Sequence, residues 1–289
     1  MHIADLRTIQ GVPPFAMPLP RSPGFEGIGR IIRVGEGVAA SRIGERVFAP
    51  LASGTFREEV RCAAEACIPA PEGDAIQLSL MMVNGATAAV ILEDYAKFER
   101  GDWLIQNAAN SSCGRYLIRL AGLAGVKTVN VVRRPELVDE IRALGADIVL
   151  VDGPALAQRV AAATGGAPIK LGIDAVAGAA TQRIAECLAP GSTVLSYGSM
   201  TNTRCELDFY LMFRNDIRLE GMSFARQFQK LRQPAEVRAL YAKLAELMAR
   251  GVLVAKIAGV YPLDRIVEAC ARAALTGNER DGKVIITMA

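Results

Sequence analysis

The chain has 289 residues, 51% hydrophobic and 22% charged, with a formal net charge of +3, one His and six Cys. Its basic residues are scattered and it holds no uncharged apolar run of about 18 residues, which excludes a nucleic-acid-coating surface and a single membrane-spanning helix. That length accommodates a full α/β domain plus a smaller one.

Residues 1–11 are short and mixed, and their lack of a basic stretch followed by an apolar core predicts an unsecreted, cytoplasmic protein. Pro13, Pro14, Pro18, Pro20 and Pro23 then fix an extended loop. Strand-like runs at 29–34, 46–49 and 56–61, punctuated by Gly35, Gly37, Gly44 and Gly54, predict a small antiparallel β unit. Cys62 and Cys67 resemble half a zinc site, but no second pair lies near them, and all six thiols are expected reduced. Apolar spacing turns helical over 76–98, with a helix start expected at Asn84-Gly85-Ala86-Thr87.

The next stretch organises the chain. An apolar run at 103–106 predicts a buried strand, a small polar turn follows at 107–112, and Leu117, Ile118, Ala121 and Leu123 recur at helical spacing before a second strand at 126–132. Strand, turn, helix and strand make a βαβ unit of the dinucleotide-binding kind. Alternation continues with strands at 148–151, 171–175, 193–197 and 217–221 and helices at 135–144, 155–163 and 179–188, which predicts parallel strands with crossover helices. A long helix at 235–250, a strand from 257, a helix at 263–275 and a strand at 283–288 complete the chain. The expected domains are 1–84, 85–253 and 254–289, the first and last forming one unit.

A helix N-terminus offers backbone N–H groups and partial positive charge to a pyrophosphate. The three positions of the Gly-x-Gly-x-x-Gly fingerprint hold Ala109, Ser111 and Gly114. Ala and Ser are small enough for a phosphate to approach, although neither takes positive φ as readily as Gly. The cofactor-contacting turn is therefore expected to comprise Asn107, Asn110, Ser111, Ser112, Cys113 and Gly114. At the end of the second strand, where an acid would bind the ribose of NAD, stand Arg133 and Arg134. A guanidinium pairs with a 2′-phosphate, so NADPH is the expected cofactor.

Segments throughout the chain resemble the medium-chain dehydrogenase/reductase superfamily: Gly24-Phe25-Glu26-Gly27, Val34-Gly35-Glu36-Gly37-Val38, Gly44-Glu45-Arg46-Val47, Leu144-Gly145-Ala146-Asp147 and Asp281-Gly282-Lys283-Val284. Within it, Ile9-Gln10-Gly11, Val83-Asn84, Gln106-Asn107-Ala108-Ala109-Asn110-Ser111, Asn130-Val131-Val132-Arg133 and Tyr197-Gly198-Ser199-Met200 are similar to NADPH-dependent 2-enoyl thioester reductases. The resemblance implies an α/β fold with a doubly wound Rossmann sheet and a smaller GroES-like β-barrel-type domain, here N-terminally incomplete. It implies hydride transfer from nicotinamide to Cβ of an enoyl thioester with protonation of Cα. It also implies a homodimer formed through coenzyme-domain strands and a small-molecule acyl thioester or quinone substrate, while the composition predicts no nucleic-acid or membrane partner. By the same resemblance Tyr197, Gly198, Met200 and Phe224 border the nicotinamide, Lys283 lies on the cofactor side, and Thr87 contacts from the helix beneath it.

Several positions depart from the family. The zinc-dependent branch has ligands where this chain has His2 and Phe25, and Phe cannot coordinate a metal. The family starts some forty residues earlier. Its catalytic Tyr falls on Pro13, and the glycine after Ser111 is Ser112. His2 is the remaining candidate proton donor, against a structural side chain at a chain end. Gly54-Thr55-Phe56 is expected in strand packing, and Trp103, Met81 and Met82 in the core. The expected activity is zinc-independent NADPH-driven reduction of an activated C=C. A quinone-reductase-like enzyme, needing only cofactor and an apolar slot, is the alternative. A protein that binds NADPH without turnover is the reading from a different class.

Overall fold

The computed structural model describes residues 1–12, 18–224, 234–279 and 281–288. Pro13, the position matched to the family tyrosine, lies outside the described residues. The chain divides into two compact units, Met1–Ala86 with Gln233–Ala289, and Thr87–Arg232.

The first unit opens with helix α1 (Ile3–Ile9). A small antiparallel sheet follows, formed by β1 (Ile28–Arg30), β2 (Arg46–Phe48) and β3 (Ile68–Pro69) in the order β1-β2-β3. The strand expected at 56–61 does not form. Gly54 bends the chain with φ +78°, and the Phe56 N–H donates to the Pro23 carbonyl instead of to a ladder partner. After α2 (Ala75–Leu78) a π-helical turn, Met81–Gly85, runs into α3 (Ala86–Asp94), so Thr87 lies inside a continuing helix rather than at a cap.

The second unit carries the long sheet. Its strands are β4 (Trp103–Gln106), β5 (Lys127–Val132), β6 (Ile148–Val151), β7 (Ile169–Asp174), β8 (Thr193–Ser196) and β9 (Arg218–Gly221). All pairings are parallel, in the order β6-β5-β4-β7-β8-β9. Strand order therefore reverses between β4 and β7, the switch point of a doubly wound sheet. Helices α4 (Ser112–Ala124), α5 (Val138–Arg142), α6 (Leu156–Thr164) and α7 (Ala179–Ala185) make the crossovers, and α8 (Phe209–Asn215) precedes β9.

Alternation along the strands divides the core by sheet face. Ile105, Val129 and Val131 pack with Leu156, Val160 and Ile184 from α6 and α7, whereas Val132 packs with Ile118, Leu137 and Ile141 around α4 and α5. Each such fully buried aliphatic side chain contributes roughly 1.5–3 kcal/mol by leaving water.

The chain then returns to the first unit with α9 (Pro234–Ala249), β10 (Ile257–Pro262), α10 (Ile266–Ala274) and β11 (Lys283–Thr287), β10 pairing β11 in parallel. Sequence spacing predicts the return after residue 253. The structure puts α9 in the first unit because its Tyr241 is buried there, donating to the Met82 carbonyl at 3.1 Å and packing 6.3 Å from the Phe48 ring.

Candidate functional site

The polar turn stands at the carboxyl end of β4, beside the switch point. Ser111 caps α4, its Oγ accepting from the Gly114 N–H at 3.1 Å. In general the first-turn N–H groups of a helix have no acceptor within the helix itself, which makes a helix start an anion-directed surface. Positive φ, expected to be difficult at Ala109 and Ser111, falls on Ala108 at +48°.

Gly114 is required for packing. A Cβ there would lie 2.8 Å from the Ala109 carbonyl oxygen, 2.9 Å from Ala109 Cα and 3.0 Å from the Ala108 carbonyl oxygen. All three neighbours are backbone, so the close approach of α4 to the β4 turn depends on a missing side chain.

Buried polar groups fix the turn from behind. Gln106 donates through Nε2 to the Gly114 carbonyl (3.0 Å) and to Asn130 Oδ1 (2.7 Å), and Asn130 Nδ2 donates to Thr128 Oγ1 (2.8 Å). Buried Arg115 donates through Nε to the Asn110 carbonyl at 3.2 Å and pairs with Glu140. Across the switch point, Asn107 donates to Asp174 Oδ1 at 2.6 Å and accepts from the Ala175 N–H at 2.8 Å. The fully buried Asp174 carboxylate also takes the Val176 and Ala177 N–H groups (2.9 and 3.1 Å) and the Thr181 hydroxyl (2.7 Å). A buried carboxylate with this many donors is satisfied as an anion.

The segment after β8 runs beside the end of β7. Tyr197 N–H donates to the Asp174 carbonyl, and Met200 N–H to that of Ala175, each at 3.0 Å. Gly198 leaves only 3.3 Å between an imagined Cβ and the Ala175 carbonyl oxygen. The Tyr197 hydroxyl reaches the Ser111 and Cys113 side chains, and burial, then Cys113, pushes the phenol well above its ordinary value of 10. Ser111, Cys113 and Tyr197 are thus together at the α4 terminus. Met200 is exposed and Phe224 half-buried beyond the end of β9.

The two arginines separate. Arg133 is exposed and lines an open depression of ≈ 400 Å³ with Asp152, Gly153, Pro154 and Arg183. Arg134 turns to its own helix start, with Nε 3.9 Å from Glu136. Arg183 grips Asp152 with two parallel hydrogen bonds, Nε to Oδ1 at 2.7 Å and an Nη to Oδ2 at 2.6 Å. Sequence inspection missed Arg183, since it belongs to a helix two strands later; Arg133 at a strand end was the only signal. These features fit a dinucleotide with a 2′-phosphate: a helix start without a Cβ in the way, and guanidinium groups at the second strand end.

In the first unit His2 caps α1, its Nδ1 accepting from the Ala4 N–H at 3.2 Å, while Asp5 accepts the His2 N–H at 2.6 Å. Asp5 also takes the Gly24 and Phe25 N–H groups at 3.1 and 2.9 Å. Lys283 stands beside Asp5 and Glu26, drawing both carboxyl values down, but burial dominates and raises both. Glu26 accepts the Val83 N–H at 2.9 Å, an interaction that the quoted Gly24-Phe25-Glu26-Gly27 motif did not disclose. Among the described residues no group of three or more His, Cys, Asp or Glu is placed to hold a metal ion, and no helix is long and apolar enough to cross a membrane.

Residues 1–72 match the alcohol dehydrogenase GroES-like domain family, and residues 113–245 the zinc-binding dehydrogenase family. The mitochondrial enoyl-acyl-carrier-protein reductase of Mus musculus is 33% identical over 267 residues, covering 90% of this chain and 71% of the mouse protein. Among solved structures, a candidate NADPH:quinone reductase from Bacillus thuringiensis superposes with a TM-score of 0.90 at 25% identity, covering 99% of this chain and 87% of that one. A mutant enoyl thioester reductase from Candida tropicalis does so at 0.86 and 22%, covering 99% and 88%. With a parallel sheet in the 3-2-1-4-5-6 order, a glycine-dependent helix approach at its switch point and this extent of identity, the chain belongs to the medium-chain dehydrogenase/reductase superfamily, on its enoyl thioester reductase side.

Proposed function

We propose that the protein is an NADPH-dependent, zinc-independent reductase of an activated C=C, with a trans-2-enoyl thioester as substrate. The observation that carries this is the α4 start at the switch point, where Gly114 admits close backbone approach and Arg133 stands at the neighbouring strand end. Bound NADPH supplies the hydride that reduces Cβ.

The chain's own residues bind and orient. Asn110, Ser111, Ser112 and Cys113, with Gly114, receive the diphosphate through the α4 terminus. Arg133 takes the 2′-phosphate as a charge-assisted pair, and Arg183 joins it while neutralising Asp152, which alone would repel the same phosphate. Asn107 holds the two strand ends at a fixed spacing, and Tyr197, Gly198, Met200 and Phe224 form the nicotinamide side. Tyr197 stays neutral across the working pH range and so acts as a hydrogen-bond donor. Thr87, within α3, is a further cofactor contact that the family resemblance implies. His2 is less suited to proton delivery through Nδ1, because that atom already accepts the Ala4 amide.

Self-association through the β9 edge accompanies this function. The strand is exposed along its length at the end of the sheet, and Phe209 and Phe213 of the preceding helix stack in the open at 5.5 Å between ring centroids. Exposed edges and contiguous apolar patches are the surfaces that pairing covers.

A quinone as acceptor is the second reading, favoured by the similarity to the Bacillus thuringiensis protein. NADPH oxidation followed by absorbance with crotonyl-type thioesters and, separately, with quinones tests both. Turnover of the thioester is expected. Turnover of quinones alone would transfer the assignment to the second reading, and NADPH binding without oxidation of either would leave a binding protein.

A further inference from the structure

The small sheet of the first unit holds a pair of thiols that the reductase chemistry does not use. Cys62 and Cys67 flank one 3₁₀ turn, Ala64–Ala66, immediately before β3, and their Sγ atoms are 3.4 Å apart. Cys62 is exposed and Cys67 half-buried. The turn between them is held in place: Arg42 Nη1 donates to the Ala64 carbonyl at 3.0 Å, Glu45 fixes the same guanidinium at 2.7 Å, and Cys67 Sγ reaches the Ala63 carbonyl at 3.7 Å. On its far side β3 is anchored by its ladder to β2.

Two thiols so placed could share a soft metal ion or join. A metal needs further ligands, and among the described residues no third His, Cys, Asp or Glu completes a set there. Joining needs only that the sulfurs close by about 1.3 Å to the usual bond length near 2.05 Å, within reach of side-chain rotation. We propose that Cys62 and Cys67 form a dithiol site that low-molecular-weight disulfides of the glutathione class oxidise to an intrachain disulfide, with Cys62 attacking and Cys67 resolving.

The order of attack follows from surroundings. Burial, then the hydrogen bond to Cys62, pushes the Cys67 thiol up from 9.0 to about 11, so it is a poor first nucleophile in water-facing exchange. Cys62 is the sulfur that a dissolved disulfide reaches. Its thiolate attacks one sulfur of glutathione disulfide, whose S–S bond breaks and releases one glutathione thiolate, which takes up a proton. Cys67, losing its proton, then attacks the Cys62 sulfur of the mixed disulfide and expels the second glutathione. The protein gives up two electrons and two protons, and glutathione disulfide becomes two glutathiones.

Trypsin isolates the pair, because residues 62–97 follow Arg61, end at Lys97 and contain no other cysteine. The full-length protein is equilibrated in buffers of rising glutathione disulfide to glutathione ratio, acid-quenched, denatured, alkylated and digested. The peptide 62–97 is expected to lose two hydrogen masses and its alkylation together as the ratio rises. In Cys67→Ser it should instead retain one glutathione on Cys62. In Cys62→Ser the reaction at Cys67 should be several-fold slower than that at Cys62 in Cys67→Ser, because Cys67 is the half-buried sulfur and Cys62 the exposed one. Double alkylation of the wild-type peptide at every ratio, or a glutathione that stays on wild-type Cys62, would overturn the proposal. Equal rates for the two serine variants would overturn the order of attack. Circular dichroism of both variants verifies that they are folded before they are compared.

Discussion

Replacing Gly114 by Ala isolates the feature on which the proposed cofactor site depends. Inside a helix this change ordinarily stabilises by up to about 1 kcal/mol, because Ala restricts the unfolded chain. At Gly114 the new Cβ meets three backbone atoms at 2.8, 2.9 and 3.0 Å, where carbon contacts normally rest at about 3.5–4.0 Å. None of the three can swing away as a side-chain tip would, so α4 must lift from the β4 turn by about half an ångström or more. Overpacking of this kind costs about 1–3 kcal/mol, which outweighs the gain. Gly122 in the same helix provides the control, since nothing lies within 4 Å of its imagined Cβ. Gly122→Ala is expected to raise stability by about 0.5–1 kcal/mol, whereas Gly114→Ala lowers it and, by displacing the first-turn amides, weakens NADPH binding by tenfold or more, roughly the worth of one charged hydrogen bond. Urea unfolding and NADPH fluorescence titration measure the two effects. A Gly114→Ala protein as stable as Gly122→Ala, with unchanged affinity, would refute the close-approach argument.

Arg133→Ala and Arg183→Ala should each weaken NADPH binding roughly ten- to hundredfold with little change for NADH, as read by titration with both cofactors; parallel losses for the two would assign the arginines a structural role. Asp174→Ala strands four donors in the interior, including the Asn107 amide, and is expected to cost about 3–5 kcal/mol in urea unfolding; a cost under about 1 kcal/mol would mean that the switch-point clamp is dispensable. Because burial raises the Glu26 carboxyl above 4.5, its contribution to stability is fully present below that value and is lost as pH rises through the folded value. Glu26→Gln, which keeps an acceptor for the Val83 N–H, should therefore match wild type in acid and exceed its Tm increasingly as pH rises; a pH-independent difference would contradict the burial argument. Elemental analysis is expected to find no stoichiometric zinc, since Phe25 lacks a donor atom, His2 Nδ1 accepts the Ala4 N–H, and Asp5 accepts three backbone N–H groups.

The wound sheet was legible because its strands are continuous apolar runs closed by Gly or small polar residues, as at 103–106 and 126–132, and because period and length agree. The turn was legible through helix-start chemistry even with two fingerprint glycines gone. Contacts formed between distant segments were not. Arg183 and Asp152 lie 31 residues apart on separate elements, and no local pattern marks them as partners. Helix α8 escaped notice because Phe209, Tyr210, Met212 and Phe213 give it no polar face, the signal on which amphipathic spacing relies. Residues 56–61 look like a strand in isolation, yet Gly54 and the hydrogen bond from Phe56 to Pro23 send them elsewhere. His2 offered a titratable ring to sequence inspection, and the fold uses that ring to close a helix.

The left-handed residue in the turn before α4 is an alanine, not a glycine. Ala108 at φ +48° holds a conformation that costs an L-residue about 1–2 kcal/mol, while its methyl group narrows what the unfolded chain can sample. A glycine-rich turn would leave much of its ordering until the ligand arrives. Here Ala108 limits that freedom before any ligand arrives, and Arg115 and Gln106 hold either side of the turn by hydrogen bonds. If the proposed diphosphate binds there, association should require little loop rearrangement, and a diphosphate of altered geometry should be rejected sharply instead of being accommodated.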